Sequence, residues 1–180
     1  MFWVALATRN THVRQHGIVE IVLTAVRPDS PDGLTALRAY AGELARRWPE
    51  KAPEPSWSQQ FLADDPLALA PPAGVLVVAK QGERVVACAG LRFEGVDVPP
   101  GAGEIKRMWV DPEVRGQGLA TRLLHHLTEL AREAGLRRLV LDTADDLLEA
   151  RALYAREGFV ETEPYNANPY AAHWYTRDLW

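Results

Sequence analysis

The segment from Val110 to Thr121, VDPEVRGQGLAT, constrains this chain more than any other. It joins a strand-like run to a helical one. Asp111-Pro112 ends the strand, because proline cannot donate to a sheet ladder. Gly116 and Gly118 let the backbone turn tightly and pass close to another molecule, since they carry no Cβ. Upstream, Glu104 to Val110 (EIKRMWV) reads as a strand that follows the turn Val98 to Gly103. Downstream, Leu119, Leu123, Leu124, Leu127, Leu130 and Ala131 recur at helical spacing, with Gly135 as the stop. A helix that begins directly after the glycines leaves its first amides unpaired and its positive dipole end facing out. Such a start suits a pyrophosphate, and Arg115 adds a fixed positive charge. The loop is not a P-loop, because no lysine follows the glycines. It is not a dinucleotide fingerprint either, because Thr121 stands where the third glycine would fall.

The remaining runs supply the partners of this unit. From Ile18 the stretch IVEIVLTAV is β-branched and stops at Pro28. Ser30 and Pro31 then open an amphipathic helix to about Arg47. Trp48 to Pro72 holds six prolines and two tryptophans, and a short helix is expected around Trp57 to Ala63. Gly74–Lys80 and Arg84–Arg92 form a hairpin about Gln81-Gly82-Glu83. Leu136–Asp142 is a strand, Asp145–Glu157 a helix closed by Gly158, and Phe159–Glu163 and His173–Leu179 are final strands. The expected order is β-α-(α)-β-β-β-α-β-α-β-β: one mixed α/β (α+β) domain over residues 18–180, behind a polar leader at 1–17.

Composition limits the function. A net charge of -4 over 180 residues argues against a general nucleic-acid binder. The single cysteine, Cys88, excludes an intramolecular disulfide and disfavours a cysteine zinc site; it fits the cytoplasm. In mid-strand it reads as a small buried hydrophobe. His125 and His126 are neighbours on a helix and do not face one metal together. The N-terminus lacks the form of a signal peptide, and no stretch approaches a membrane span. The expectation is a soluble protein that uses no metal, with a homodimer through exposed strand edges left open.

The run Arg115-Gly-Gln-Gly-Leu-Ala120 resembles the R/Q-x-x-G-x-G/A signature of the GNAT superfamily of acyl-CoA-dependent N-acetyltransferases. Met108 to Pro112 resembles the end of that family's splayed central strand, and Ala150 to Phe159 (ARALYAREGF) its A-x-x-L-Y-x-x-x-G-F segment. The likeness covers roughly Ile18 to Trp180. It departs at Leu147, where the family often has an asparagine that helps hold the pantetheine arm or a water. The resemblance implies a mostly antiparallel sheet of six to seven strands with splayed central strands, flanked by about four helices. It further implies acetyl-CoA as co-substrate and an amine of a small molecule as acceptor.

On that resemblance, Arg115, Gly116, Gln117, Gly118, Leu119, Ala120 and Thr121 hold the pyrophosphate, and Met108, Trp109 and Val110 align the pantetheine and the acetyl carbonyl. Tyr154 is the general acid for the departing thiolate. The amine must lose a proton, and Glu104 is the candidate base, acting through a water, because it lies six residues from Val110 and even spacing on a strand implies a shared face. Asp111, Glu94 and Glu163 are lesser candidates. Trp48–Pro72 and Tyr165–His173 are expected to wall the acceptor side, where Glu50, Glu54, Asp64 and Asp65 hint at a cationic amine. The alternative function is a non-catalytic acyl-CoA-binding regulatory module; a longer acyl donor or an alcohol acceptor is a further enzyme reading.

Overall fold

A computed structural model of the chain describes residues 20–50 and 67–180. The polar leader at 1–17, the helix expected around Trp57 to Ala63, and Glu54, Asp64 and Asp65 lie outside the described residues. Seven strands, β1 (Ile21–Val26), β2 (Gly74–Gln81), β3 (Arg84–Arg92), β4 (Ala102–Val110), β5 (Arg138–Thr143), β6 (Val160–Thr162) and β7 (His173–Asp178), form one sheet in the order β1-β2-β3-β4-β5-β7-β6. All neighbours are antiparallel except β4 and β5. Three α-helices are described: α1 (Pro31–Arg47), α2 (Leu119–Glu133) and α3 (Leu148–Arg156), with a 3-10 turn at Pro112–Val114.

The helices begin and end where local chemistry dictates. Ser30 caps α1 by accepting from the Gly33 amide at 3.2 Å, with Pro31 in the first turn. Gly135 and Gly158 follow α2 and α3 in the left-handed region, at φ +74 and +83. The third helix starts at Leu148 rather than at Asp145. The acidic side chains before it are drawn elsewhere: Asp145 to His173 and Arg151, Asp146 to the Trp48 indole.

The helices cover both faces of the sheet. Leu119, Leu123, Leu124, Leu127 and Ala131 of α2 pack with Val77, Val86, Leu91, Ile105 and Leu139. On the opposite face, Ala36 and Leu37 of α1 pack with Leu69, Leu76, Val78, Cys88 and Trp109. Each fully buried leucine stabilises the fold by about 1.5–3 kcal/mol relative to exposure. β2 and β3 are thus covered on both sides, and their ladder slips once, between Ala79 and Lys80.

Two features of β4 open the sheet. Its parallel pairing with β5 runs only from Ala102↔Arg138 to Glu104↔Val140, so the strands diverge beyond that point. Its pairing with β3 also slips: Lys106 faces Gly90, yet Trp109 faces Cys88, so Arg107 and Met108 together oppose Ala89. Arg107 sits in the left-handed region at φ 57. This is a β-bulge, one extra residue that bends the strand. The bulge corrects the even-spacing argument for Glu104. With one residue inserted, Glu104 and Lys106 share the α1 face with Trp109, while Val110 turns to the α2 face with Ile105.

Candidate functional site

Where β4 and β5 part, a cleft of about 810 Å³ runs between them. At one end, after the strand finishes at Val110, the chain makes the 3-10 turn and reaches Gly116 and Gly118 at φ +79 and +73. A Cβ at either glycine would meet nothing within 4 Å, so what fixes glycine here is backbone conformation. Gly118 is the N-cap of α2 and supplies no side-chain cap. The first amides of α2 therefore stay available to an anion beside the positive end of the helix dipole.

Most of the residues expected from the sequence meet in this cleft. Met108, Trp109, Val110, Arg115, Gly116, Gly118, Leu119, Ala120, Thr121 and Tyr154 all line it, and Leu147 joins them at the N-cap of α3. Gln117 is exposed and is not part of the lining. The Thr121 hydroxyl donates to Glu157 at 2.9 Å. Arg115 is held by protein: its Nε donates to the Val110 carbonyl at 2.9 Å and its Nη2 to Glu43 Oε1 at 3.0 Å. Burial raises the Glu43 carboxyl, but Arg46, Arg115 and Arg47 outweigh it and leave the group at about 2. Arg47 reaches Glu149 of α3 at 2.5 Å, so the end of α1 ties together both lips of the cleft.

Tyr154 sits deep in the cleft wall, 6% exposed, its ring against Phe159 and Tyr175 at 5.9 and 5.8 Å. Its hydroxyl donates to Met108 Sδ at 4.0 Å. Burial, reinforced by Tyr40, Asp142 and Tyr175, pushes the phenol well above its ordinary value, so it stays protonated at any working pH.

Glu104 is fully buried and is not among the lining residues. Its Oε2 meets Arg92 Nη2 at 2.6 Å. Its Oε1 accepts from Lys106 at 3.2 Å, Tyr165 at 3.0 Å and Asn166 at 3.4 Å. Both carboxylate oxygens are thus taken up by protein groups, and neither faces the cleft. Asp111 is tied to Arg84 at 2.7 Å and caps the Glu113 amide; neither it nor Glu94 or Glu163 lines the cleft.

Asp142 of β5, which the sequence did not single out, does line the cleft. It accepts from Asn166 at 2.7 Å and from Asn168 at 2.8 Å. Two carboxamide donors fix its orientation and leave further lone pairs for a substrate. Its only mark in the sequence is a charged residue ending the apolar run LVL. Cys88 is buried, its thiol pushed up to about 12 by burial, as expected of a packing residue. No group of three or more His, Cys, Asp or Glu among the described residues is placed to hold a metal ion. No helix among them is long and apolar enough to cross a membrane.

The sheet split beside a bulged strand thus brings an uncapped helix start and a buried phenol to one cleft. The sequence profile of the Acetyltransferase (GNAT) family matches residues 38–159, and the chain belongs to that family. It is 39% identical over 101 residues to an uncharacterized N-acetyltransferase, C1271.07c, of Schizosaccharomyces pombe, covering 55% of this chain and 60% of that one. It is 37% identical over 97 residues to an IAA acetyltransferase of Azospirillum brasilense, covering 54% and 61%. The chain thus spans about three-fifths of the length of these curated relatives. The fold matches the PaiA N-acetyltransferase of Thermoplasma acidophilum, solved in complex with coenzyme A, with a TM-score of 0.63 at 14% identity over 88% of this chain and 99% of that one.

Proposed function

We propose that this chain transfers an acetyl group from acetyl-CoA to a primary amine of a small-molecule acceptor, by direct attack in a ternary complex. The observation that carries this reading is the cleft between β4 and β5, with the uncapped start of α2 at one end and the Tyr154 hydroxyl beside Met108. The uncapped amides and the open faces of Gly116 and Gly118 fit a pyrophosphate, and the cleft that starts there is also lined by Met108 and Tyr154. Bound acetyl-CoA supplies the activated thioester. The amides from Gly116 to Thr121 hold its pyrophosphate. The unpaired edge of β4 beyond Glu104 orients the pantetheine, and a backbone N–H there stabilises negative charge on the acetyl oxygen.

The acceptor nitrogen attacks only when deprotonated, and Asp142 is the base we assign. It lines the same cleft as Tyr154, and the hydrogen bonds described for it come from two neutral carboxamides. Tyr154 donates to the departing thiolate. Burial weakens it as a free acid, but the same apolar wall raises the basicity of a thiolate beside it. Glu104 acts as a positioning residue for Arg92 and Lys106. Asp142→Asn lowers kcat by about 100-fold or more, and Glu104→Gln lowers it by much less. Thiol release at saturating donor checks this; a rate retained in Asp142→Asn and lost in Glu104→Gln returns the role to Glu104.

Glu43 competes with phosphate for Arg115. Glu43→Gln therefore tightens acetyl-CoA binding by about two- to fivefold, the worth of one partly exposed ion pair. Calorimetric titration tests this. Unchanged or weakened affinity shows that Arg115 stays with α1 and makes no contact with the donor.

A further inference from the structure

The donor loop accounts for only one end and one face of the cleft. The bulge at Arg107 sends Glu104, Lys106 and Trp109 to the opposite face, where Arg92 faces Glu104 directly across the β3–β4 ladder. Lys106 lies roughly 12 Å along the strand from Val110, out of reach of a phosphate seated at Gly116. Arg92 and Lys106 both line the cleft here. They are two cations against one carboxylate, Glu104, which already receives donors from Tyr165 and Asn166. Among the described residues, Arg92 Nε is buried without a hydrogen-bond partner, and the three N–H groups of the Lys106 ammonium have Glu104 as their described acceptor. Asn166 bridges this cluster to Asp142, donating to Glu104 Oε1 at 3.4 Å and to Asp142 Oδ2 at 2.7 Å. The cationic corner and the Asp142 carboxylate, itself held by Asn166 and Asn168, therefore stand one side chain apart.

We propose that the acceptor is an amine carrying an anionic oxygen group, carboxylate or phosphate, held by Arg92 and Lys106 while its nitrogen faces Asp142. This rests on the transferase reading above and gives it a substrate class. Of the acidic residues that hint at a cationic acceptor, Glu50 does not line the cleft, and Glu54, Asp64 and Asp65 lie outside the described residues. Glu104 keeps the two cations from repelling each other and aims them, and an arriving anion completes the neutralisation. The amide product keeps the anion and loses the nitrogen's charge, so it leaves without its contact to Asp142.

The test is thiol release from acetyl-CoA with matched pairs of amines: amino acids against their decarboxylated counterparts, and aminoalkyl phosphates against the corresponding amino alcohols. The anionic member of a pair should be preferred by at least about tenfold in kcat/KM. Lys106→Met should raise KM for the anionic member by about tenfold, and by much less for the uncharged member, so that the preference between the two falls. Arg92→Lys, which keeps the charge beside buried Glu104, should give a smaller rise in KM. Equal or greater activity with the uncharged amines, or with polyamines, overturns the proposal. Turnover of none of the anionic amines also overturns it. Titration of the same protein with acetyl-CoA then separates the failures: retained donor binding leaves the transferase reading standing, and lost binding removes both.

Discussion

Replacing Tyr154 by phenylalanine lowers kcat by about 100-fold or more while acetyl-CoA affinity stays within about twofold of the wild type. The ring is locked between Phe159 and Tyr175, so phenylalanine keeps the packing. The only hydrogen bond described for the hydroxyl is the long contact to Met108 Sδ, so removing it leaves no strongly bonded group unsatisfied. Stability should therefore change little, and a lost rate reports chemistry. Single-turnover thiol release with a responsive amine, beside calorimetric titration of acetyl-CoA, measures the two quantities separately. An unchanged kcat at saturating donor removes Tyr154 from the mechanism and shifts protonation of the thiolate to solvent.

Gly118→Glu abolishes measurable acetyl-CoA binding. Position 118 is in the left-handed region, where a non-glycine residue is strained by about 1–3 kcal/mol, and the carboxylate points a negative charge at the uncapped start of α2. It would fill the place the pyrophosphate needs. Gly118→Ala carries the same strain without the charge, and its Cβ meets nothing. It should melt at nearly the same temperature as the glutamate variant yet bind acetyl-CoA with only a modest loss. Equal loss of binding in both assigns the effect to backbone strain; retained binding in the glutamate variant places the anion elsewhere.

Much of this arrangement could be read from the chain because the signals are local. The serine cap and proline of α1, the hairpin about Gly82, and the glycines closing α2 and α3 each act within a few residues of themselves. The donor loop is equally local: two glycines and the first turn of a helix. What escaped is what depends on partners far along the chain. Nothing in EIKRMWV announces a bulge, since the residue in the left-handed region is an arginine, and without the bulge the face of Glu104 was assigned by parity. The ties from Glu43 to Arg115 and from Asn166 and Asn168 to Asp142 cross long stretches of sequence, and no spacing rule reaches them. Asp142 became visible only once β5 was seen to leave β4 after Val140.

The claim that matters most is that the split between β4 and β5 takes acetyl-CoA, and calorimetric titration of the wild-type protein with acetyl-CoA tests it most directly. Saturable binding at one site per chain, lost in Gly118→Glu, is the result expected. No heat of binding, with native folding verified by its melting transition, would contradict the account.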